Sequence, residues 1–345
     1  MIGIFPELYP DELVYSCLAR YAAYTGYVTH RSVAEDLFRN KLEHPSVEFL
    51  NLLTEDAMSH LTAKRDIRDV IQQHTLFDYY ARFAPAGKRK KLMDMIISGD
   101  MKSFNNSVST RKLGERFLRF CPICTQEDDR EKYGETFWHR SHQLPEIQIC
   151  HKHECYLHNT EISLRSKLSP AFYPAEVVVP YDVHPRFCNN QLEIDVARYV
   201  VDTLLSKYDM DLTVGAGAFL RSRLENTKYS SPRGEACHLT LLHRDIQKCY
   251  ENINLFGFTE MWQLSKLLAG SRHNFFEVCL VAYFLGIKVD ELSNLRLPEE
   301  RQYERFDRLT QEMRAQGLKS PEIGRRLGAS HHVVKDVWRR ASSYS

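Results

Sequence analysis

The sequence lacks the short motifs that identify several common enzyme classes. It has no Walker A phosphate loop, no Gly-x-Ser-x-Gly nucleophile elbow and no His-Glu-x-x-His zinc-protease motif. It also lacks an apolar run of the roughly 18 residues that a membrane-spanning helix requires. Its first residues, MIGIFPELYPDEL, lack the basic start and apolar stretch of a signal peptide. We therefore expect a cytoplasmic protein that is not an enzyme.

An overall excess of charge of one sign is absent as well. The 345 residues carry 46 Lys and Arg against 45 Asp and Glu, so total charge neither favours nor excludes a polyanionic partner. The distribution is uneven, because the segment from Arg301 to the end has ten basic residues against five acidic ones. We expect a contact with DNA to lie in this segment. A second basic run, KRKK at 88–91, is typical of a solvated helix end.

The cysteines do not form the even, closely spaced set of a secreted disulfide framework. There are nine of them, and a cluster lies between 121 and 155. Cys121 and Cys124 are separated by two residues, which lets both sulfurs of one tight turn reach the same ion, and Cys150 and His153 repeat that spacing after 25 residues. The four side chains predict a structural Zn²⁺ site in a zinc ribbon, with no open coordination position for hydrolysis.

Several alternatives to this ligand set stay open. Cys155 and His151 lie close enough in sequence to replace one of the four ligands. A redox role for the Cys121–Cys124 pair needs a thioredoxin-like setting, which the helical patterns do not indicate. A catalytic zinc site would have to use His139 or His142 with fewer cysteines. Cysteines 188, 237 and 249 have no standard metal spacing, which favours a structural role for them.

The last forty residues contain two short helical patterns around a turn, GLKSPEIGRRLGASHHVVKDVWRR. Ser320 and Ser330 predict the N-caps of the two helices, and Gly328 predicts the turn between them. The apolar spacing is typical of a helix-turn-helix, whose second helix enters the major groove of DNA. An amphipathic hairpin with a solvated basic face is the alternative. The residues predicted to contact bases or phosphates are Arg325, Arg326, His331, His332, Lys335, Arg339 and Arg340.

Helical periodicity recurs along most of the chain. Apolar side chains on one face predict a helix over 11–25 that ends at Gly26, and Thr29 predicts the N-cap of a second helix. The aromatic segment HTLFDYYARF (74–83) favours core packing between helices. The predicted fold is mainly α, with helix-turn-helix modules, an inserted small zinc ribbon and further C-terminal helices. The predicted domains are an N-terminal helical module (1–115), the zinc ribbon (116–165), a linker or extended segment (166–190), a helical domain (191–300) and a C-terminal helix-turn-helix (301–345).

Five segments, in this order, resemble the TniQ/TnsD family of transposon target-site selection proteins. They are FPELYPDELVYSCLARY near the start, HTLFDYYARF, CPIC, YGETFWHRSHQLPEIQIC and HKH. The resemblance covers about residues 1–160 and includes Trp138 between the two ligand pairs, where we expect it to pack the ribbon onto its neighbour together with Leu144. It assigns zinc binding to Cys121, Cys124, Cys150 and His153.

The resemblance implies a non-enzymatic role in a bacterial cytoplasm, with nucleoid association when the protein is bound to DNA. Such a protein binds double-stranded target DNA and recruits the AAA+ ATPase regulator of transposition to the insertion site. A second expectation is an adaptor that links an RNA-guided CRISPR effector complex to the ATPase and reads little DNA sequence itself. A zinc-dependent hydrolase or nuclease is a third hypothesis, and it requires an open metal position.

Overall fold

The structure is a computed structural model that describes residues 2–108, 116–164, 172–253 and 259–342. The chain divides into two compact units. The first contains Met1–Thr213 with Asn274–Leu280, and the second contains Val214–His273 with Val281–Ser345. Among the described residues no helix combines the length and apolarity that crossing a membrane requires.

The first unit is mainly helical, and its helix ends follow local sequence chemistry. The first helix ends at Gly26, whose φ of 63° is the left-handed conformation that glycine adopts without strain. The Thr29 hydroxyl accepts from the Ser32 N–H and caps the second helix, so both predicted ends are confirmed. The α-helices of this unit are Val14–Thr25, His30–Leu37, Glu55–Leu61, Ile67–His74, Phe77–Ala81, Ala86–Ser98, Met101–Ser107, Asp129–Tyr133, Ala175–Val178 and Gln191–Leu205, and short π and 3₁₀ turns cover Cys124–Asp128 and Ser141–Gln143.

The core of the first unit collects apolar side chains from the helices between residues 14 and 108. The aromatic segment 74–83 contributes Phe77 and Phe83, which are fully or almost fully buried, as its core-packing interpretation predicted. The same segment buries polar groups that the interpretation did not include. Tyr79 donates to Glu146 at 2.8 Å, and Asp78 accepts from the Tyr208 hydroxyl at 2.8 Å. The segment therefore supplies both apolar packing and a hydrogen-bonded framework.

The two β-strands in the described parts of the chain form a two-stranded antiparallel ribbon. Strand β1 (Phe117–Phe120) pairs with β2 (His158–Ser163), with Arg119 opposite Asn159 and Phe120 opposite His158. All residues from Cys121 to Leu157 lie between these strands in sequence, so the strand pair closes the base of this long insertion. Residues 109–115 and 165–171 lie outside the described parts, and with them the predicted domain borders near 115 and 165.

The basic run at 88–91 is not uniformly solvated. Its lysines are exposed, but Arg89 is only 2% exposed. The Arg89 guanidinium donates to the carbonyls of Ala84 at 2.7 Å and Met210 at 2.9 Å. Because a charged group that satisfies carbonyls inside a protein fixes both chain segments, Arg89 anchors the loop after the helix Gln191–Leu205.

The second unit is also built from helices. Gly217 lies where one helix approaches the end of another so closely that a Cβ would meet the Leu267 carbonyl oxygen at 2.4 Å. Gly270, at a φ of 73°, follows the second of these helices. The helix Phe275–Phe284 begins in the first unit and ends in the second. The other helices of the second unit are Ala216–Leu224, Leu239–Cys249, Met261–Leu268, Val289–Asn294, Gln302–Ala315, Ser320–Arg326 and His331–Ser342.

Candidate functional site

The predicted metal ligands come together within the insertion between the ribbon strands. Cys121 directly follows β1, Cys124 begins the next helical turn, and Cys150 and His153 lie on a separate turn. All four donor atoms lie within 4.8 Å of one another, and the three cysteines are buried. Within the described residues, these four side chains form a group that could hold a metal ion. The structure therefore brings the four predicted side chains together in a group that could bind a metal ion.

The donor separations fit a tetrahedral ion. Metal–sulfur bonds of about 2.3 Å and metal–nitrogen bonds of about 2.0 Å require sulfurs about 3.8 Å apart and sulfur–nitrogen pairs about 3.5 Å apart. The sulfurs of Cys124 and Cys150 are 3.7 Å apart. His153 Nδ1 lies 3.5 Å from Cys121 Sγ, 3.3 Å from Cys124 Sγ and 3.7 Å from Cys150 Sγ. The four side chains are thus close enough to share one metal ion.

The second ligand turn is shaped by its own backbone. The Cys150 carbonyl accepts from the Glu154 N–H at 2.9 Å, and the Cys150 N–H donates to the Cys155 carbonyl at 2.8 Å. Glu154 has a φ of 56°, which is costly for a residue with a Cβ. The strained residue closes the turn that directs Cys150 and His153 toward the same point.

Two further side chains approach the ligands from outside the group. Cys155 Sγ lies 3.4 Å from Cys121 Sγ, and His142 Nε2 lies 3.8 Å from Cys124 Sγ. Burial lowers the pKa of His142 to about 4, so its ring is neutral near pH 7 and can donate to the sulfur. A hydrogen bond of this kind orients a ligand and stabilises its charge. His151, the other substitute considered from the sequence, is not a member of the group.

His139 belongs to a charged cluster next to the metal ligands. Its ring lies between the carboxylates of Asp129, at 3.1 Å, and Asp11, at 3.6 Å. Burial alone would lower the pKa of His139, but the two carboxylates outweigh it and raise the pKa to about 10. Burial likewise opposes ionisation of Asp11, yet His139 and Arg140 hold the pKa of that carboxyl below its usual range. The two carboxylates therefore favour the protonated, cationic form of the buried His139 ring.

The N-terminal segment is clamped onto the insertion by backbone and side-chain bonds. The Asp11 carbonyl accepts from the Arg140 N–H at 2.7 Å, and the Asp11 carboxylate accepts from the Ser141 hydroxyl at 2.5 Å. The Leu13 N–H donates to the Trp138 carbonyl at 3.0 Å. Trp138 is fully buried in a small core with Leu13, so its expected packing role is confirmed.

A buried ion-pair network adds to this clamp. Arg20 donates to both oxygens of Glu12, at 2.9 and 2.8 Å, and to Glu135 at 2.8 Å. Its guanidinium also lies 4.1 Å from the centroid of the Tyr9 ring. The clamp residues were not predicted from the sequence. The one available signal was two adjacent carboxylates, Asp11 and Glu12, at the start of an apolar helical face.

The clamp and the ligand group lie in the part of the chain that matches a known family. The family model described as TniQ matches residues 3–157. Residues 3–157, called the TniQ domain below, are the part of the chain that is similar to this family. A 153-residue stretch, 43% of this chain, is 29% identical to the Escherichia coli protein named Transposon Tn7 transposition protein TnsD. The matched stretch covers 30% of that relative's length. The resemblance to the TniQ/TnsD family is thus confirmed over the first unit's N-terminal part.

The residues predicted to contact DNA lie outside the TniQ domain, at the end of the second unit. The helices Ser320–Arg326 and His331–Ser342 pack against each other and against Gln302–Ala315. Gly328, at a φ of 65°, forms the predicted turn, and a Cβ on Gly324 would meet the Ala329 carbonyl oxygen at 2.6 Å. Ser320 is the first helical residue and Lys319 the N-cap, so the predicted capping role of Ser320 is wrong. Pro321 fixes the start of this helix instead.

The predicted DNA-contact residues divide into two groups by their ion pairs. Arg326 is paired with Glu322 at 3.0 Å, Arg339 with Asp336 at 2.9 Å and Arg340 with Glu235 at 3.2 Å, and all of these pairs are largely exposed. The residues of the second group form no ion pair with any described part of the chain. The second group consists of Arg325, His331, His332 and Lys335.

Proposed function

We propose that this chain is a transposon target-site selection protein that binds target DNA and recruits the AAA+ ATPase regulator of transposition. The observation that carries the proposal is the TniQ domain over residues 3–157. The relative named a Tn7 transposition protein supports the same role. In this proposal the first unit is the protein-docking part, and the C-terminal helices contact DNA.

The proposed role of the metal is structural. Zn²⁺ held by Cys121, Cys124, Cys150 and His153 would join two turns that have little regular structure around them. The alternative zinc hydrolase or nuclease needs a position for water on the ion, and four protein donors at tetrahedral separations fill a four-coordinate ion. The clamp then transmits the rigidity of this centre to the N-terminal helices, because Asp11 and Leu13 bond directly to the insertion.

The proposed DNA contact uses the exposed face of the helix His331–Ser342. Lys335 is exposed on this helix and Arg325 on the preceding one. We infer that these two cations reach phosphates first, because Arg326, Arg339 and Arg340 must give up carboxylate partners before they can do so. His331 and His332, at the start of the second helix, are proposed to face base edges.

A second candidate function is the adaptor on an RNA-guided CRISPR effector complex. Two observations favour it: the formal net charge is only +1, and three of the seven predicted DNA-contact residues carry exposed ion pairs. An adaptor of this kind binds DNA weakly and without sequence preference, whereas a DNA reader loses affinity steeply as salt rises.

The test compares charge removals on the two groups of basic residues. We expect Arg325→Ala and Lys335→Ala each to weaken duplex binding and to reduce the slope of log K against log salt by about 1. Lys90→Ala, which removes an exposed cation from the first unit, is the matched control and should leave the slope unchanged. Equal, shallow slopes for all variants on every duplex would favour the adaptor over the DNA reader.

A further inference from the structure

An exposed tryptophan lies close to two cations in the second unit. Trp262 is the second residue of the helix Met261–Leu268, and 49% of it remains exposed. Lys266 follows one helical turn later, with its Nζ 4.9 Å from the indole centroid. The Arg272 guanidinium lies 5.6 Å from the same centroid. Both positively charged side chains thus lie within cation–π distance of one exposed indole ring.

This arrangement does not serve the packing of the helix. The residues that bury the helix against its own unit are Leu264, Leu267 and Leu268, on another face. Lys266 is exposed and forms no ion pair with a carboxylate in the described parts of the chain. Within the same parts the Trp262 indole N–H has no protein acceptor. In the described parts of the chain, the indole N–H and the Lys266 ammonium are thus not used in a hydrogen bond or an ion pair.

The chemistry of this group selects an anionic ligand with several acceptor oxygens. An indole N–H and an ammonium group can bond to different oxygens of one phosphate, and the adjacent guanidinium adds charge. Phosphate contacts of this kind position a protein on DNA without reading its sequence. Tyr303 is another aromatic residue of the same unit, and 42% of it is exposed. Its hydroxyl already donates a hydrogen bond to Glu304, so it does not offer the same donor to a phosphate.

We propose that Trp262, Lys266 and Arg272 form a phosphate-binding contact for the backbone of duplex DNA. The proposal rests on the proposed function, since it adds a positioning contact to the same unit that carries the C-terminal helices. Its role is to fix the register of the protein on the duplex, and the C-terminal helix would supply any base readout.

The first experiment measures duplex affinity of the full-length, metal-replete protein at two salt concentrations. We expect Lys266→Ala to weaken binding several-fold at low salt and to reduce the salt slope by about 1. Trp262→Phe keeps a ring but removes the N–H donor, and we expect it to weaken binding by about tenfold. Tyr303→Ala is the control with an exposed aromatic and should bind as the unaltered protein does. Affinities for Trp262→Phe and Lys266→Ala equal to that of Tyr303→Ala would overturn the proposal.

The second experiment separates DNA from free phosphate as the source of the ligand. The difference in fluorescence between the unaltered protein and Trp262→Phe isolates the Trp262 emission. We expect duplex DNA to quench this emission, and inorganic phosphate at matched ionic strength to leave it unchanged. Saturable quenching by inorganic phosphate alone would mean a free-phosphate site and would overturn the DNA assignment.

The same measurements distinguish failure of this inference from failure of the proposed function. DNA binding that depends on Lys335 but not on Trp262 or Lys266 would refute the phosphate contact and leave the DNA reader standing. A protein that binds no duplex at any salt concentration would refute both.

Discussion

The buried Arg20 ion pair gives the sharpest prediction about what holds the TniQ domain together. The Arg20 side chain is 3% exposed and that of its Glu12 partner 0% exposed. Replacing Arg20 by Met would leave the Glu12 carboxylate buried without its cation and would remove the cation beside Glu135. Breaking a buried pair from one side costs about 3–5 kcal/mol. The exposed pair of Arg31 and Glu35 is the control, and Arg31→Met should cost about 0.5 kcal/mol or less.

The assay is urea unfolding followed by the fluorescence of Trp138. The chain has three tryptophans, so the substitutions Trp262→Phe and Trp338→Phe leave Trp138 as the sole probe, buried in the first unit. Adding Glu12→Gln to Arg20→Met should recover part of the loss, because the carboxylate that lacks a partner is then gone. A cost below about 1 kcal/mol for Arg20→Met, close to that of Arg31→Met, would mean that the buried pair does not stabilise the domain as expected.

Three further predictions concern the charged cluster, the C-terminal helices and the metal. The folded-state pKa of His139 is raised to about 10. The stability that His139 contributes to the folded protein should therefore be complete below about pH 6.5 and be lost as the pH rises toward 10. Urea unfolding at several pH values should show this loss, and His139→Gln should reduce the pH dependence. Gly324→Ala should destabilise the second unit by about 1–3 kcal/mol in thermal unfolding, whereas Gly87→Ala, where a Cβ meets nothing within 4 Å, should not. Metal analysis should find one ion per chain in Cys188→Ser and none in Cys150→Ser; metal retained by Cys150→Ser would contradict the ligand set.

The features that the sequence predicted depend on interactions within a few residues. The helix stop at Gly26 and the N-cap at Thr29 follow from the preferences of single residues. The two ligand pairs could be recognised because each pair needs only a two-residue spacer, and one ion then unites them. Shared coordination of one metal ion thus indicates a contact between residues far apart in the sequence, which secondary-structure propensities do not indicate.

The features that the sequence did not predict join residues far apart in the chain. Asp11 meets Ser141 across 130 positions, and Arg89 meets the Met210 carbonyl across 121. A charged residue in a helical run looks the same whether it faces water or a distant carbonyl, so the sequence alone indicates a solvated position for Arg89. The N-cap prediction for Ser320 is wrong for a different reason, since a serine before Pro321 fits both the N-cap and the first helical position.

Selection from genomic DNA tests directly whether the second unit selects a target site through contact with DNA. The metal-replete protein would be incubated with fragmented genomic DNA at two salt concentrations, and the retained fragments sequenced. We expect one enriched fragment that survives the higher salt and is retained more weakly by Lys335→Ala. Retention without enrichment, unchanged by Lys335→Ala, would contradict direct site reading and leave the adaptor on an RNA-guided complex as the function to test.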